Sequence, residues 1–535
     1  MSNKKGTKTQ LEQKQKTQLQ ESLVFYQSDL FFDVQNSGLF ADSKIFADAL
    51  AKFSWQKTYG DYAQLKIKKD FKLAEFVLQY FTLPEPIALK SDSSGSSLIG
   101  HIELLWDKLK KPPDETLGDS LLPLQYPYIV PGGRFREVYY WDSYFTSLGL
   151  MQSGRQYMVK SMIDNFIDLQ DRIGCIPNGN RSYYTTRSQP PVLALMTELI
   201  LQSDETDESQ RSEFMQHALH GLEQEYGFWM QGSDSLNADN QQCKRVVRMP
   251  DGEVLNRYWD SSTEPRPESL KEDLHAASNL AAEYRGEFYR NIRAACESGW
   301  DFSTRWLDET ALLTSIQTTQ IVPIDLNCLL YDLESVLSRY YLALGQAKNH
   351  HKFSHKAQQR KDAIIKYLWD PELGYFFDFD IKLKQQSKVQ SLASAVPLFV
   401  ALVDETMAAR IAQRIEAQFL VSGGLITTLN SSHQQWDAPN GWAPLHWFAV
   451  KGLLNYQQAP LALTVIERWL NTVEQHFTQH RSLMEKYNVI SIDDLAEGGE
   501  YEVQHGFGWT NGVTLAFFAL QKQLCEGQQV RTILK

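Results

Sequence analysis

Two stretches of this chain repeat apolar side chains at spacings of three and four residues and then stop on a glycine. In the first, Val159, Met162, Ile163, Phe166, Ile167 and Ile173 are followed by Gly174. In the second, Leu326, Leu329, Leu330, Leu333, Val336, Leu337, Tyr340, Tyr341 and Leu344 are followed by Gly345. That spacing lays the apolar groups along one face of a helix, and the glycine supplies the left-handed residue that closes it. Similar patterns predict helices near 212–226, 274–297, 355–368, 406–418, 445–454, 461–477 and 511–521, with Pro444 at a first-turn position. Ser269-Leu-Lys-Glu272 matches a capping box and predicts a helix starting after Arg266-Pro-Glu268. So many one-faced helices must cover one another, and the expected fold class is all-α.

Composition narrows the partners. Of 535 residues, 43% are hydrophobic and 22% charged, enough apolar content for a large core. A net charge of -12 argues against nucleic acid or an anionic membrane as partner, since both favour a concentrated basic surface. The nearest approach to a membrane span, 393–403, is too short and contains Pro397. Five scattered cysteines suggest neither a disulfide framework nor a zinc site, and they fit a reducing compartment. The first 21 residues are basic and Gln-rich without an apolar h-region, so they are expected to be a mobile polar tail and the protein cytoplasmic. Asn36-Ser-Gly38 predicts a turn. Leu83-Pro-Glu-Pro86, Ser91-Asp-Ser-Ser-Gly-Ser-Ser97 and Lys111-Pro-Pro-Asp114 are punctuation before the main body.

Chemistry concentrates in Pro131-Gly-Gly-Arg-Phe-Arg-Glu-Val-Tyr-Tyr-Trp-Asp-Ser-Tyr-Phe145, which holds two arginines, two carboxylates and six aromatic rings. Aromatic faces suit the C–H faces of a pyranose, while guanidinium and carboxylate groups suit its hydroxyls. The competing reading is a turn into an amphipathic helix with Arg134, Arg136, Glu137 and Asp142 as solvated charges. Gln435-Trp-Asp-Ala-Pro-Asn-Gly-Trp-Ala-Pro444 is a second such stretch, in which Asp437 and Asn440 are equally readable as turn residues.

These two stretches resemble the signatures of the trehalases, inverting glycoside hydrolases that cleave trehalose into two glucoses, and the resemblance runs from about Asp29 to Gln521. It implies an (α/α)6 barrel over residues 22–535, with 22–125 as an N-terminal extension. Trehalose and water are the implied partners, and the expected protein is a monomer without cofactor or metal. Inversion needs a protonated carboxyl at the leaving oxygen and an ionised one that activates water, roughly 6.5–9.5 Å apart. The resemblance puts the acid at Asp301, in Glu297-Ser-Gly-Trp-Asp-Phe-Ser-Thr-Arg-Trp306, where flanking rings would raise its pKa. It puts the base at Glu485, in Leu483-Met-Glu-Lys-Tyr-Asn488, with Glu500 as the rival carboxylate. It implies a glucose-binding shell of Arg134, Phe135, Trp141, Asp142, Asn178, Arg187, Ser188, Gln189, Arg266, Pro267, Glu268, Gly299, Trp436 and Glu500. Trp442 is a further wall candidate, with core packing as its competitor. The chain departs from the family in a shortened glycine run before Glu500 and in His505. Hydrolysis of another α-glucoside or of trehalose 6-phosphate, and a non-catalytic sugar sensor, stay open at this point.

Overall fold

The computed structural model describes residues 19–85, 97–114, 120–203, 208–496 and 498–527. Residues 1–18 of the expected tail, Pro86, residues 91–96 of the serine-rich punctuation and Glu497 lie outside them. Residues 19–21, expected to be mobile, are already helical.

Among the described residues, six inner elements form a closed ring. Tyr140–Gln152 packs on Leu193–Leu201, and then come Ile324–Ala343, Val396–Phe399, Ala443–Asn455 and Gly508–Cys525, the last returning to the first. Each is preceded in sequence by an outer helix: Leu98–Leu109, Gln156–Ile173, Glu208–Trp229, Ala347–Leu368, Glu405–Arg414 and Ala459–His480. This alternation is the (α/α)6 barrel. Inner helices must be apolar on nearly every side, and Tyr140–Gln152 and Ala443–Asn455 are buried along most of their length. Outer helices carry the one-faced pattern, as in Gln156–Ile173, which ends on Gly174 at φ 90°. The Ala393 to Val403 run is an inner element of the ring, broken into a 3-10 turn and a short helix around Pro397.

The ring closes on a glycine pair. A Cβ on Gly149 would lie 2.6 Å from the Gly512 Cα, so the first and last inner helices meet backbone to backbone. Bulkier residues there would push the helices apart.

Two helix expectations need correction. The 274–297 stretch is two helices, Leu270–Ala276 and Ala282–Ser298, because the chain turns at Ala277–Leu280. Ser269 makes no side-chain cap bond, and Glu272 instead accepts from Ser43 Oγ at 2.8 Å. Tertiary contact has taken the capping carboxylate. The 406–418 helix ends at Arg414 and continues as one wide π turn over Ile415–Phe419.

The N-terminal elements build a second apolar cluster around Phe25, Phe31, Phe46, Phe76 and Phe81. Tyr139, Tyr183, Tyr184 and Leu270 of the barrel loops belong to it, so this extension packs against the connections that carry the site.

Candidate active site

A cavity opens where outer helices connect to inner ones, with about 650 Å³ of empty space when the open solvent at its mouth is included. Its wall comes from five of the six such connections, including the first turns of Tyr140–Gln152 and Gly508–Cys525. Helix N-termini present unpaired N–H groups and positive dipole ends, an environment that tolerates carboxylates.

Asp142, Glu268, Asp301, Glu485 and Glu500 all line this cavity, with Arg134, Arg187 and Arg266 among them. Phe135, Trp141, Asn178, Gln189, Gly299 and Trp436 also line it. Two expected shell residues do not. Ser188 is buried and uses its backbone N–H to bond Glu297 Oε1 at 2.9 Å. Pro267 is buried in a 3-10 turn and gives its carbonyl to Gln35 at 3.3 Å. Their neighbours Arg187, Gln189, Arg266 and Glu268 are the ones that reach the cavity.

The solvated reading of the first signature is excluded by burial. Asp142 and Glu137 are buried, and Glu137 pairs with Lys44 Nζ at 2.8 Å and Arg181 Nε at 3.2 Å. Asp437 of the second signature is fully buried and structural. It accepts from Ser303 Oγ at 2.8 Å and from the Thr304 N–H at 2.9 Å, which ties the second signature to the loop that carries Asp301. Trp436 lies flat on Trp442, 3.9 Å between centroids at 2°, and Trp300 stacks on it at 5.4 Å. These indoles therefore spend much of their face area on one another.

Asp301 follows Gly299, which ends Ala282–Ser298 at φ 78°. A Cβ on Gly299 would stand 2.9 Å from Trp141 Cε2, so only glycine allows both the turn and that approach. Between Trp300 and Phe302 the Asp301 carboxyl is pushed up to about 7, chiefly by desolvation. Arg266 opposes the shift, while Glu500 and Glu485 reinforce it. Asp142 is raised well above the carboxylate range by burial, with Glu485 and Asp301 adding to it.

Glu485 is buried and also raised by desolvation, but several contacts favour its anion: Lys486, the Tyr501 hydroxyl, the Gln504 backbone bond and Arg134. Tyr501 OH donates to Oε1 at 3.0 Å, whereas Oε2 has no hydrogen-bond partner among the described residues. Lys486, fully buried, donates to Gln435 Oε1 at 2.6 Å and to the Gly498 carbonyl at 3.0 Å. Gln435 Nε2 in turn donates to the Asp301 carbonyl. A single ammonium thus links the segments of both carboxyls to the glycine turn before Glu500.

The arginines are held in place by acids. Arg187 donates to Asn178 Oδ1 at 2.9 Å and to Glu268 Oε1 at 2.8 Å, and Glu268 Oε2 is left without a partner among the described residues. Arg266 pairs with Asp273 and forks onto Glu500 at 2.9 and 3.0 Å. Tyr139, Tyr184, Ser269, Cys296, Tyr501, Phe507 and Trp509 also line the cavity and were not singled out from sequence.

The Trehalase family profile matches residues 38–522. The chain belongs to the trehalase family. It is a glycoside hydrolase of the α,α-trehalase type, and its relatives agree. It is 44% identical over 501 residues to a periplasmic trehalase of Escherichia coli O45:K1, covering 94% of this chain and 87% of that one. To a periplasmic trehalase of Citrobacter koseri it is 45% identical over 493 residues, 92% of this chain and 85% of that one. Among solved structures, neutral trehalase Nth1 of Saccharomyces cerevisiae superposes with a TM-score of 0.59 at 25% identity, over 76% of this chain and 77% of that one. A mannosylglycerate hydrolase of Thermus thermophilus shares the barrel at 17% identity and a TM-score of 0.54, over 79% and 100% of the two chains.

The relatives named periplasmic trehalases overturn the cytoplasmic expectation. The observations behind that expectation do not discriminate compartments. A leader is a removable segment. Cys175, Cys296 and Cys328 are buried free thiols with pKa values raised by desolvation, Cys175 and Cys296 to about 12, so they would be inert under oxidising conditions too.

Proposed function

We propose that this trehalase-family chain hydrolyses trehalose with inversion, Asp301 acting as general acid and Glu485 as general base. The observation that carries the reading is the asymmetry of two carboxyls from different connections in one cavity. Asp301 holds its proton up to about 7. Glu485 has one oxygen pinned by Tyr501 and a cation next in sequence, and its other oxygen is left without a hydrogen-bond partner among the described residues. Burial raises both carboxyls, and the contacts that favour the anion are gathered at Glu485, which assigns it the base role and Asp301 the acid role.

In the proposed step the Asp301 proton passes to the glycosidic oxygen as its bond to the anomeric carbon breaks. Water attacks that carbon from the opposite face and gives its proton to Glu485 Oε2. One glucose leaves as the β anomer and the other as α. Protonated Asp142 donates to a hydroxyl, and Arg134, Arg187 and Arg266 supply fixed donors around the bound ring.

Proton NMR of anomeric signals in freshly mixed enzyme and trehalose tests this. Equal initial α- and β-glucose is expected, with turnover lowered at least about 100-fold in both Asp301→Asn and Glu485→Gln. Release of α-glucose alone would refute inversion.

A further inference from the structure

Arg134 owes its position to a residue outside the barrel. Asp42, in the N-terminal extension, accepts from Arg134 Nε at 2.9 Å through Oδ2 and from Nη2 at 2.8 Å through Oδ1. This is a bidentate fork, the geometry that fixes both the position and the plane of a guanidinium. It occupies one edge of the group, and a guanidinium has five donors, so the Nη1 side stays available to a ligand. The Arg134 plane is further bounded by the Tyr501 ring at 4.5 Å and the Phe135 ring at 5.5 Å.

Asp42 is itself held. Its Oδ1 accepts from the Lys44 N–H at 2.9 Å. Two residues on, Lys44 Nζ is buried against Asp48 and Glu137, and Ser43 Oγ bonds Glu272 at 2.8 Å. The segment around Asp42 is thus tied to the connection that carries Glu137 and to the helix Leu270–Ala276. The pair is well shielded, with side-chain exposure of 12% for Arg134 and 28% for Asp42, so the contact exceeds a mobile surface ion pair.

We infer that Asp42 is a positioning residue for hydrolysis, acting through Arg134, so that the N-terminal extension completes the substrate site as well as packing against it. The inference rests on the reading of Arg134 as a substrate-facing donor.

The test is a double-mutant cycle on kcat/KM for trehalose with Asp42→Ala, Arg134→Ala and the pair, with Asp42→Glu alongside. Asp42→Ala should lower kcat/KM by about 10- to 100-fold, the range for losing charge-assisted bonds to a buried partner. In the Arg134→Ala background the same change should cost less than about 2-fold, because the residue it acts through is gone. Asp42→Glu should recover part of the loss. A purely structural Asp42 would produce the same factor in both backgrounds, and that additivity, or an unchanged kcat/KM in Asp42→Ala, overturns the inference while leaving Arg134 in its role. An Arg134→Ala variant with full kcat/KM would overturn the reading of Arg134 itself. Melting curves accompany each variant. Should Asp42→Ala fail to fold, Asp42→Asn, which keeps the shape and loses the charge, carries the same cycle.

Discussion

Replacing Asp301 with asparagine should make the protein more stable at alkaline pH while removing its activity. The carboxyl is raised from 3.8 to about 7 in the fold, so the folded state holds a proton that the unfolded chain has released. Below 3.8 both states are protonated and Asp301 adds nothing. Between 3.8 and about 7 the folded state binds more protons, and stability falls as pH rises. Above that window the penalty is constant, about 4 kcal/mol at 1.36 kcal/mol per pH unit, for a shift of 7 minus 3.8. Asp301 keeps partial exposure to the cavity, and solvent screening reduces the expectation to about 2–4 kcal/mol. Asparagine has nearly the same shape and does not titrate. The assay is the unfolding midpoint of wild type and Asp301→Asn at a series of pH values below, within and above the window. The variant's advantage should be absent in acid, grow through the window and level off beyond it. An advantage independent of pH, or a less stable variant at alkaline pH, would mean that the carboxyl is not desolvated and would remove the basis for Asp301 as a proton donor.

Further outcomes follow from neighbouring contacts. Tyr501→Phe keeps the ring on Arg134 but deletes the hydroxyl bond to Glu485, worth about 1.5–3 kcal/mol for a charged acceptor. That bond favours the anion, so the acidic limb of the pH profile of kcat/KM should move to higher pH, and an unmoved limb would count against Glu485 as base. Lys486→Met should move the same limb in the same direction and cost about 1–3 kcal/mol in unfolding measurements, because Gln435 Oε1 and the Gly498 carbonyl lose their donor. Gly299→Ala should lower stability by about 1–3 kcal/mol through a left-handed backbone at φ 78°. Its Cβ would also crowd Trp141, so KM should rise in steady-state assays.

The ring was legible wherever apolar side chains recur at helical spacing up to a glycine, on an outer helix such as Gln156–Ile173 and on an inner one such as Ile324–Ala343. Both formed within a few residues of expectation. The break at Ala277–Leu280 has its signal in Ser278-Asn279, a turn-forming pair that the apolar pattern running through it outweighed. The capping box at Ser269 misled because its glutamate is used by Ser43, more than two hundred residues earlier in the chain. At the site, resemblance identified residues by type, and the structure brings all but Ser188 and Pro267 to one cavity wall. Tyr501 and Trp509 carried the same signal that drew attention to residues 131–145, rings beside carboxylates and glycines, and both belong to that wall. What no local pattern could reveal is which charges would be interior. Lys44, Asp48, Glu137 and Asp437 are ordinary surface residues by type, and each is buried because a partner from a distant segment neutralises or bonds it.

The glycine seam between Gly149 and Gly512 also sets an order of events during synthesis. The helix that closes the ring, Gly508–Cys525, is the last described barrel element to leave the ribosome; Glu485, Glu500, Tyr501 and Phe507 emerge only shortly before it, and Trp509 emerges in its first turn. Arg134 and Asp142, made several hundred residues earlier, wait without their opposite wall. Until this helix is made the ring has no closing member, so the cavity gains its last wall only when Gly508–Cys525 docks on Tyr140–Gln152.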